Sequence, residues 1–191
     1  NNLAKGFGVK TGEPLWKAKQ KCPKIIFLKP NYDKYMYFSK KAREIYCDYT
    51  DMVEPFGADE CWIELTGGIG KYSDGPAIAD EIRGRIKKEL EITASVGVSF
   101  NKLFAKLGSD MKKPDATTVI TESNFRQKVW PLPAEDMLFI GRATRDRLRK
   151  FGITTIGGIA NSSLDFLQSM FGKNGVTMWG FANGLDTSPV A

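Results

Sequence analysis

The 191-residue sequence contains no histidine and only three cysteines. Without histidine the chain has no imidazole to act as a catalytic base and no Cys/His zinc site. Cys22, Cys47 and Cys61 are far apart and form no Cys-x-x-Cys pair, so we expect buried, reduced thiols rather than a disulfide framework. No apolar run approaches the roughly 18 residues that a membrane span needs, and the first residues hold no apolar signal core. These absences predict a cytoplasmic globular protein with no membrane partner.

The positive charge of the chain is concentrated towards its two ends. The net charge is +6, from 28 Lys/Arg and 22 Asp/Glu. Residues 1–50 hold eleven basic and four acidic side chains, residues 51–121 nine and twelve, and residues 122–191 eight and six. This pattern is typical of a protein whose basic flanks hold a nucleic acid around metal-binding carboxylates, although solvated lysines on helix faces give similar counts.

Two adjacent carboxylates, Asp59 and Glu60, lie in the middle of residues 53–66. β-Prone residues precede a Gly57-Ala58 break, and apolar and polar side chains alternate after it, which predicts two strands joined at an acidic corner. Two carboxylates about 4 Å apart repel by roughly 4 kcal/mol at an effective dielectric constant of about 20. A shared divalent cation such as Mg²⁺ is the simplest remedy. A solvated acidic turn is the alternative.

Apolar periodicity predicts further elements in the first two thirds of the chain. It indicates helices at 15–22, 31–49, 76–91 and 101–111, and strands at 25–28 and 93–99. Glycine-rich residues 5–12 are predicted to form a loop, and residues 67–71 a turn rather than a phosphate-binding loop. Small side chains at Ala94, Ser95 and Gly97 would let either a ligand or a closely packed helix approach the sheet. The order of elements predicts an α+β fold, with a mixed sheet and covering helices.

A group of lysines follows the strand predicted at 93–99. Lys102 and Lys106 are four residues apart on one helical face, and Lys113 lies at the helix end after Lys112. From there the ammonium group of Lys113 could reach back to a triphosphate near the carboxylates. Solvated surface lysines are the alternative.

From residue 122 onwards the pattern predicts helices and no strand. We expect short helices at 122–130, 133–139, 142–151, 164–171 and 175–183. Residues 137–153 have the form of a helix-hairpin-helix, in which amides at the second helix's N-terminus meet a DNA phosphate without reading sequence. Ala143 stands where such a hairpin usually has its second glycine, and an ordinary helical hairpin is the alternative. Positive charge is added by Arg142, Arg145, Arg149 and Lys150.

Four segments occur in the order and spacing of a known polymerase family. They are Phe-Gly-Val-Lys at 7–10, Asp-Glu-Cys-Trp-Ile-Glu-Leu-Thr at 59–66, the run from Ser95 to Pro114, and Gly-Leu-Asp-Thr-Ser-Pro-Val at 184–190. The chain resembles the Y-family DNA polymerases, in the bacterial DNA polymerase IV and UmuC-like branch. The resemblance implies that residues 1–30 are the rear of the fingers, 31–121 the polymerase palm, and 122–191 a small all-helical thumb.

The resemblance also implies a mechanism, namely two-metal nucleotidyl transfer to a primer 3′-hydroxyl, with primer-template DNA and deoxynucleoside triphosphates as partners. Asp59 matches the carboxylate that touches both magnesium ions, and Glu60 the one at the primer end. Lys113 matches the family's triphosphate lysine. Lys5 stands where the family usually has an arginine, so it keeps the charge but not the bidentate fork. The hairpin residues expected to bind DNA are Gly141, Arg142, Ala143, Thr144 and Arg145.

Parts of the family pattern fall outside the sequence. A first metal-binding aspartate and an aromatic gate against ribonucleotides would precede Asn1, and a little finger domain with a tail for the sliding clamp would follow Ala191. We therefore expect the middle of a translesion polymerase, which serves DNA repair and damage tolerance, with little or no activity of its own. Two other functions stay open: a non-catalytic helix-hairpin-helix DNA-binding module, and a nucleotidyl cyclase, which leaves the helical tail unexplained.

Overall fold

The computed structural model describes residues 1–65 and 74–191. The glycine-rich segment at 67–71, for which the sequence predicts a turn, lies outside the described residues. The chain divides into two compact units, Asn1–Lys34 and Tyr35–Ala191.

The first unit contains two short helices, α1 (Asn2–Gly6) and α2 (Leu15–Lys21). The predicted loop at residues 5–12 is wrong at its start, because residues 5 and 6 belong to α1. The side-chain oxygen of Asn1 accepts a hydrogen bond from the Ala4 amide and caps the first turn of this helix. Helix α2 confirms its prediction, and its Lys21 Nζ donates to the Gly8 carbonyl at 2.7 Å and to Glu13 at 2.6 Å. These bonds tie the intervening loop to α2.

The prediction of a strand at residues 25–28 is wrong. Ile26 and Leu28 are 82% and 85% exposed, and no strand of the described ranges pairs with this segment. An extended chain becomes a strand only when its amides and carbonyls find a partner, so an apolar run alone does not suffice.

The elements that follow, as far as Ile120, have an α+β order. They are α3 (Tyr32–Cys47), β1 (Val53–Phe56), β2 (Glu60–Ile63), α4 (Gly75–Leu90), β3 (Val96–Ser99), α5 (Lys102–Met111) and β4 (Thr117–Ile120). Strands β1 and β2 form an antiparallel hairpin in which Phe56 faces Glu60, and β3 and β4 pair in parallel. The sequence did not predict β4. Asn31 caps α3 as expected, since its Oδ1 accepts from the Lys34 amide at 3.0 Å.

The last third of the chain is helical. Its elements are α6 (Phe125–Val129), α7 (Arg142–Lys150), α8 (Ile156–Ala160), α9 (Leu164–Phe171) and α10 (Lys173–Ala182). The helix predicted at 133–139 is a single 3₁₀ turn at Ala134–Asp136, and the unpredicted α8 begins where Thr155 Oγ1 caps the Gly158 amide at 3.0 Å. One core joins these helices to α5 and β4, and it includes Phe104, Ile120, Leu148, Ile156 and Leu167.

Helix α5 lies directly against β3. A Cβ atom at Gly97 would stand 1.8 Å from the Ala105 carbonyl oxygen, and one at Gly108 would stand 3.2 Å from the Gly97 Cα. For Gly97, the closely packed helix is therefore the correct explanation.

The C-terminal segment returns to the start of α5. The Gly184 carbonyl accepts from Asn101 Nδ2 and the Pro189 carbonyl accepts from Lys102 Nζ, both at 3.1 Å. The Ala191 amide donates to Glu54 Oε2 at 2.9 Å. These contacts fix residues 184–191 along the edge of β1 and the first turn of α5.

The three thiols are free, but the prediction that they are buried was wrong for Cys47, which is exposed; Cys22 and Cys61 are half-buried. Among the described residues, no helix combines the length and apolarity needed to cross a membrane.

Replacing Gly97 by alanine tests the packing of α5 on β3. We expect Gly97→Ala to lower the free energy of unfolding by about 1–3 kcal/mol or more, because backbone atoms cannot move aside as a flexible side chain can. Gly84→Ala is the matched control, since Gly84 lies in α4 with open space around it, and should raise that free energy by about 0.5–1 kcal/mol. Urea unfolding measures both. Equal stability of Gly97→Ala and the unmodified chain would contradict the close packing.

Candidate active site

The acidic hairpin has the geometry predicted from its sequence. Gly57 adopts a φ of +77°, which only glycine takes without strain, and the turn that follows places Asp59 immediately before β2. Glu60 is the first residue of β2. The two carboxylates are therefore neighbours at the end of a strand rather than residues within a regular strand.

The two carboxylates differ in their surroundings. Glu60 is half-buried, and its Oε1 accepts from Lys106 Nζ at 3.0 Å. Asp59 is exposed, and in the described parts of the chain its carboxylate has no ion pair or hydrogen bond. One carboxylate is thus neutralised by a lysine while the other is available to a ligand.

The lysines predicted on one face of α5 do face the hairpin. Lys102 Nζ binds both oxygens of Glu54 at 2.6 Å and lies 4.7 Å from the centre of the Trp62 ring. Lys106, one turn further, bridges Glu60 and Asp110. The sequence could not show these partners, because Glu54 and Glu60 are 48 and 46 residues away from the lysines that bind them.

Lys113 joins the same group of charges. Its Nζ lies 2.6 Å from Asp110 Oδ1, while the other carboxylate oxygen of Asp110 accepts from Lys106 at 2.6 Å. Burial by itself would lower the pKa of Lys106, but its ion pairs with Asp110 and Glu60 outweigh burial and raise the pKa. Burial would raise the pKa of Asp110, but the two lysines lower it. Lys106 and Asp110 are therefore both charged at neutral pH.

The donor chemistry of the hairpin suits a hard divalent cation. Mg²⁺ is usually bound through one or two carboxylates, with water and substrate phosphates completing its shell. Asp59 and Glu60 offer such oxygens. Within residues 1–65 and 74–191 no group of three Asp, Glu, Cys or His side chains is arranged to hold a metal.

The predicted nucleotide contact Lys5 lies in the last turn of α1, in the first unit, where it is exposed. Its role stays a prediction.

The prediction of two helices round a hairpin within residues 137–153 is wrong for the first helix, because α7 is the one helix there and a single 3₁₀ turn at Ala134–Asp136 precedes it. Ala143 lies inside the first turn of α7, where a glycine is not needed. The residue with left-handed backbone is Phe139, with a φ of +70° and 72% of its surface exposed. The left-handed position therefore lies two residues before the helix cap Gly141, and a phenylalanine there gives no sequence signal of it.

The charges around α7 are largely paired. Arg145 lies 2.7 Å from Asp146, and Arg149 lies 3.0 Å from Glu135. Arg142 is 88% exposed and reaches Asp146 only at 4.0 Å. The first turn of α7 carries no acidic side chain, and Gly141, Arg142 and Ala143 are exposed, whereas Thr144 is half-buried. An anion could therefore approach this helix N-terminus beside Arg142.

A family model described as the impB/mucB/samB family matches residues 1–110, more than half of the chain. The chain belongs to the impB/mucB/samB family. Similar curated proteins include a DNA polymerase IV of Acetivibrio thermocellus, 55% identical over all 191 residues, which cover 48% of that protein. DNA polymerase IV 2 of Bacillus subtilis strain 168 is 38% identical over 99% of the chain and 47% of its own length. The chain spans about half the length of these relatives.

Solved structures agree with this membership of the impB/mucB/samB family. The structure of DinB from Sulfolobus solfataricus matches all of this chain, and the match covers 56% of the DinB chain, with a TM-score of 0.88 and 28% identity. Dbh DNA polymerase in an insertion ternary complex also matches all of this chain and 56% of its own chain, with a TM-score of 0.88 and 26% identity. The predicted resemblance to Y-family polymerases and the predicted α+β class are confirmed.

Proposed function

We propose that this chain supplies the palm and thumb of a template-directed DNA polymerase of the translesion type, with 31–121 as palm, 122–191 as thumb and 1–30 as part of the fingers. The observation that carries the proposal is the acidic hairpin, where Asp59, unpaired among the described residues, stands next to Glu60 and a row of charges leads to Lys113. Its substrates are deoxynucleoside triphosphates and primer-template DNA. Membership of the polymerase-containing family supports this reading of the site.

Asp59 and Glu60 hold magnesium in this proposal, and two ions act in the complete site. Held by these carboxylates, Mg²⁺ would supply Lewis-acid chemistry for the primer 3′-hydroxyl and positive charge for the leaving pyrophosphate. Within residues 1–65 and 74–191 Asp59 has no partner to give up, whereas Glu60 must release Lys106 or share with it.

Lys113 contacts the triphosphate in this proposal. Its side chain is 55% exposed, so it can turn away from Asp110 towards a more highly charged anion at little cost in burial.

The N-terminus of α7 holds a DNA phosphate in this proposal, through the amides of its first turn and the side chain of Arg142. Such contacts fix the position of the duplex but do not select its sequence. None of the described residues bears on the predicted contact with a sliding clamp.

Calorimetry with Mn²⁺ and a deoxynucleoside triphosphate tests the metal site. We expect the 191-residue chain to bind the pair and Asp59→Asn with Glu60→Gln to lose that binding, because the hard cation loses its anionic oxygens. A matched control replaces two exposed acids of the last third, Glu122→Gln with Asp165→Asn, and should bind as the unmodified chain does.

Binding that survives the Asp59 and Glu60 changes would refute the metal site. It would instead favour a second candidate, a non-catalytic helix-hairpin-helix module, for which the exposed Arg142 beside a helix N-terminus is the specific observation.

The salt dependence of duplex binding tests the α7 contact. Each phosphate contact that is lost reduces the slope of log K against log salt by about 1. We expect this loss for Arg142→Ala on duplexes of unrelated sequence, measured by fluorescence anisotropy. Arg149→Ala should change the slope less, because Arg149 is paired with Glu135. Equal losses for the two variants would contradict a contact centred on the α7 N-terminus.

A further inference from the structure

Four side chains of alternating charge form a continuous row from the hairpin to the end of α5. Glu60 contacts Lys106 at 3.0 Å, Lys106 contacts Asp110 at 2.6 Å, and Asp110 contacts Lys113 at 2.6 Å. We call this set the charge row. Its two ends, Glu60 and Lys113, are the residues proposed above for metal and triphosphate, whereas its middle members, Lys106 and Asp110, have no role in that proposal.

The geometry of α5 explains why the row is continuous. Lys106 and Asp110 are four residues apart on one face of α5, and Lys113, two residues after the helix ends at Met111, contacts Asp110 from beyond the helix. The side chain of Lys106 is only 16% exposed, which leaves its ammonium group little freedom beyond its two acceptors. Asp110 uses one oxygen for each lysine.

Each inner member of the charge row competes with a ligand of the proposed site. The ammonium group of Lys106 stands where it neutralises Glu60, and a divalent cation bound by Glu60 would repel it. Asp110 holds Lys113, and a triphosphate must draw that lysine away. A stronger bond between Asp110 and Lys106 weakens the hold of Asp110 on Lys113, since both lysines share one carboxylate.

We propose that Lys106 and Asp110 are positioning residues that couple the metal end of the site to its triphosphate end. Cation binding moves Lys106 from Glu60 onto Asp110, and Asp110 then releases Lys113 towards the triphosphate. The inference rests on the proposed function, because it takes Glu60 as a cation ligand and Lys113 as a phosphate contact. In the absence of both ligands the row keeps the site close to neutral.

The first test measures the affinity of the 191-residue chain for Mn²⁺ alone by calorimetry. We expect Lys106→Met to bind Mn²⁺ about three- to ten-fold more tightly, because Glu60 no longer has to give up an ion pair before it binds the cation. Lys106→Arg, which keeps the ion pairs, should stay near the unmodified chain. Lys102→Met is the matched control, since Lys102 is on the same helix face, similarly buried and paired with Glu54 instead, and should change the affinity less than about two-fold.

A double-mutant cycle separates coupling through Lys106 from a general charge effect. In Asp110→Asn, Lys106 keeps Glu60 as its one charged partner of the row, so Mn²⁺ binding should weaken. In the Lys106→Met background the same change should have almost no effect on Mn²⁺ binding. Equal weakening in both backgrounds would mean that Asp110 acts only through its charge and would overturn the inference. Circular dichroism confirms folding, and Lys106→Gln replaces Lys106→Met should the latter fail to fold.

The second test follows the other end of the row with inorganic tripolyphosphate in metal-free buffer. Asp110→Asn should tighten its binding because Lys113 is released, and the additional change Lys113→Met should remove that gain. A gain that survives Lys113→Met would overturn the coupling.

Failure of the inference differs from failure of the proposed function. Mn²⁺ binding that is lost in Asp59→Asn with Glu60→Gln but unchanged in Lys106→Met refutes only the role of Lys106. Mn²⁺ binding that is insensitive to Asp59 and Glu60, or no Mn²⁺ binding at all, refutes both.

Discussion

The close contact between α5 and β3 determines where the charged groups of this protein lie. Gly97 and Gly108 bring the two backbones within van der Waals distance, so α5 cannot shift along the strand without a clash. On its inner side α5 contributes Phe104 and Leu107 to the core that continues into the last helices. On its other side Lys102 and Lys106 face the acidic hairpin. A packing constraint at two glycines thereby sets the electrostatics of the candidate site.

Repulsion between Asp59 and Glu60 is reduced in an unsymmetrical way. Two adjacent carboxylates need a positive charge nearby, and in the described residues Lys106 provides one for Glu60 alone. A lysine held by a second carboxylate, Asp110, can leave more easily than one held by Glu60 only, because its charge stays compensated. This arrangement stabilises the unliganded hairpin and still leaves Asp59 open to a divalent ion.

Local patterns predicted much of this structure, and tertiary partners decided the rest. The hairpin with its left-handed Gly57, the Asn31 cap and helix α9 follow from signals within a few residues. The failed strand at 25–28 needed a pairing partner that an apolar run cannot reveal. The left-handed backbone of Phe139 runs against the preference of that residue type, so no signal in the sequence predicted it. At the site the sequence identified the acids and lysines, but the ion pairs that join them span more than 40 residues along the chain.

Anomalous diffraction from crystals of the 191-residue chain soaked with Mn²⁺ and a deoxynucleoside triphosphate tests the central claim, that the acidic hairpin is a divalent-cation site. The account predicts an anomalous peak about 2.1 Å from carboxylate oxygens of both Asp59 and Glu60. It also predicts that Lys106 then contacts Asp110 and no longer Glu60. A hairpin without a peak, with Lys106 still bound to Glu60 at saturating Mn²⁺, would contradict it.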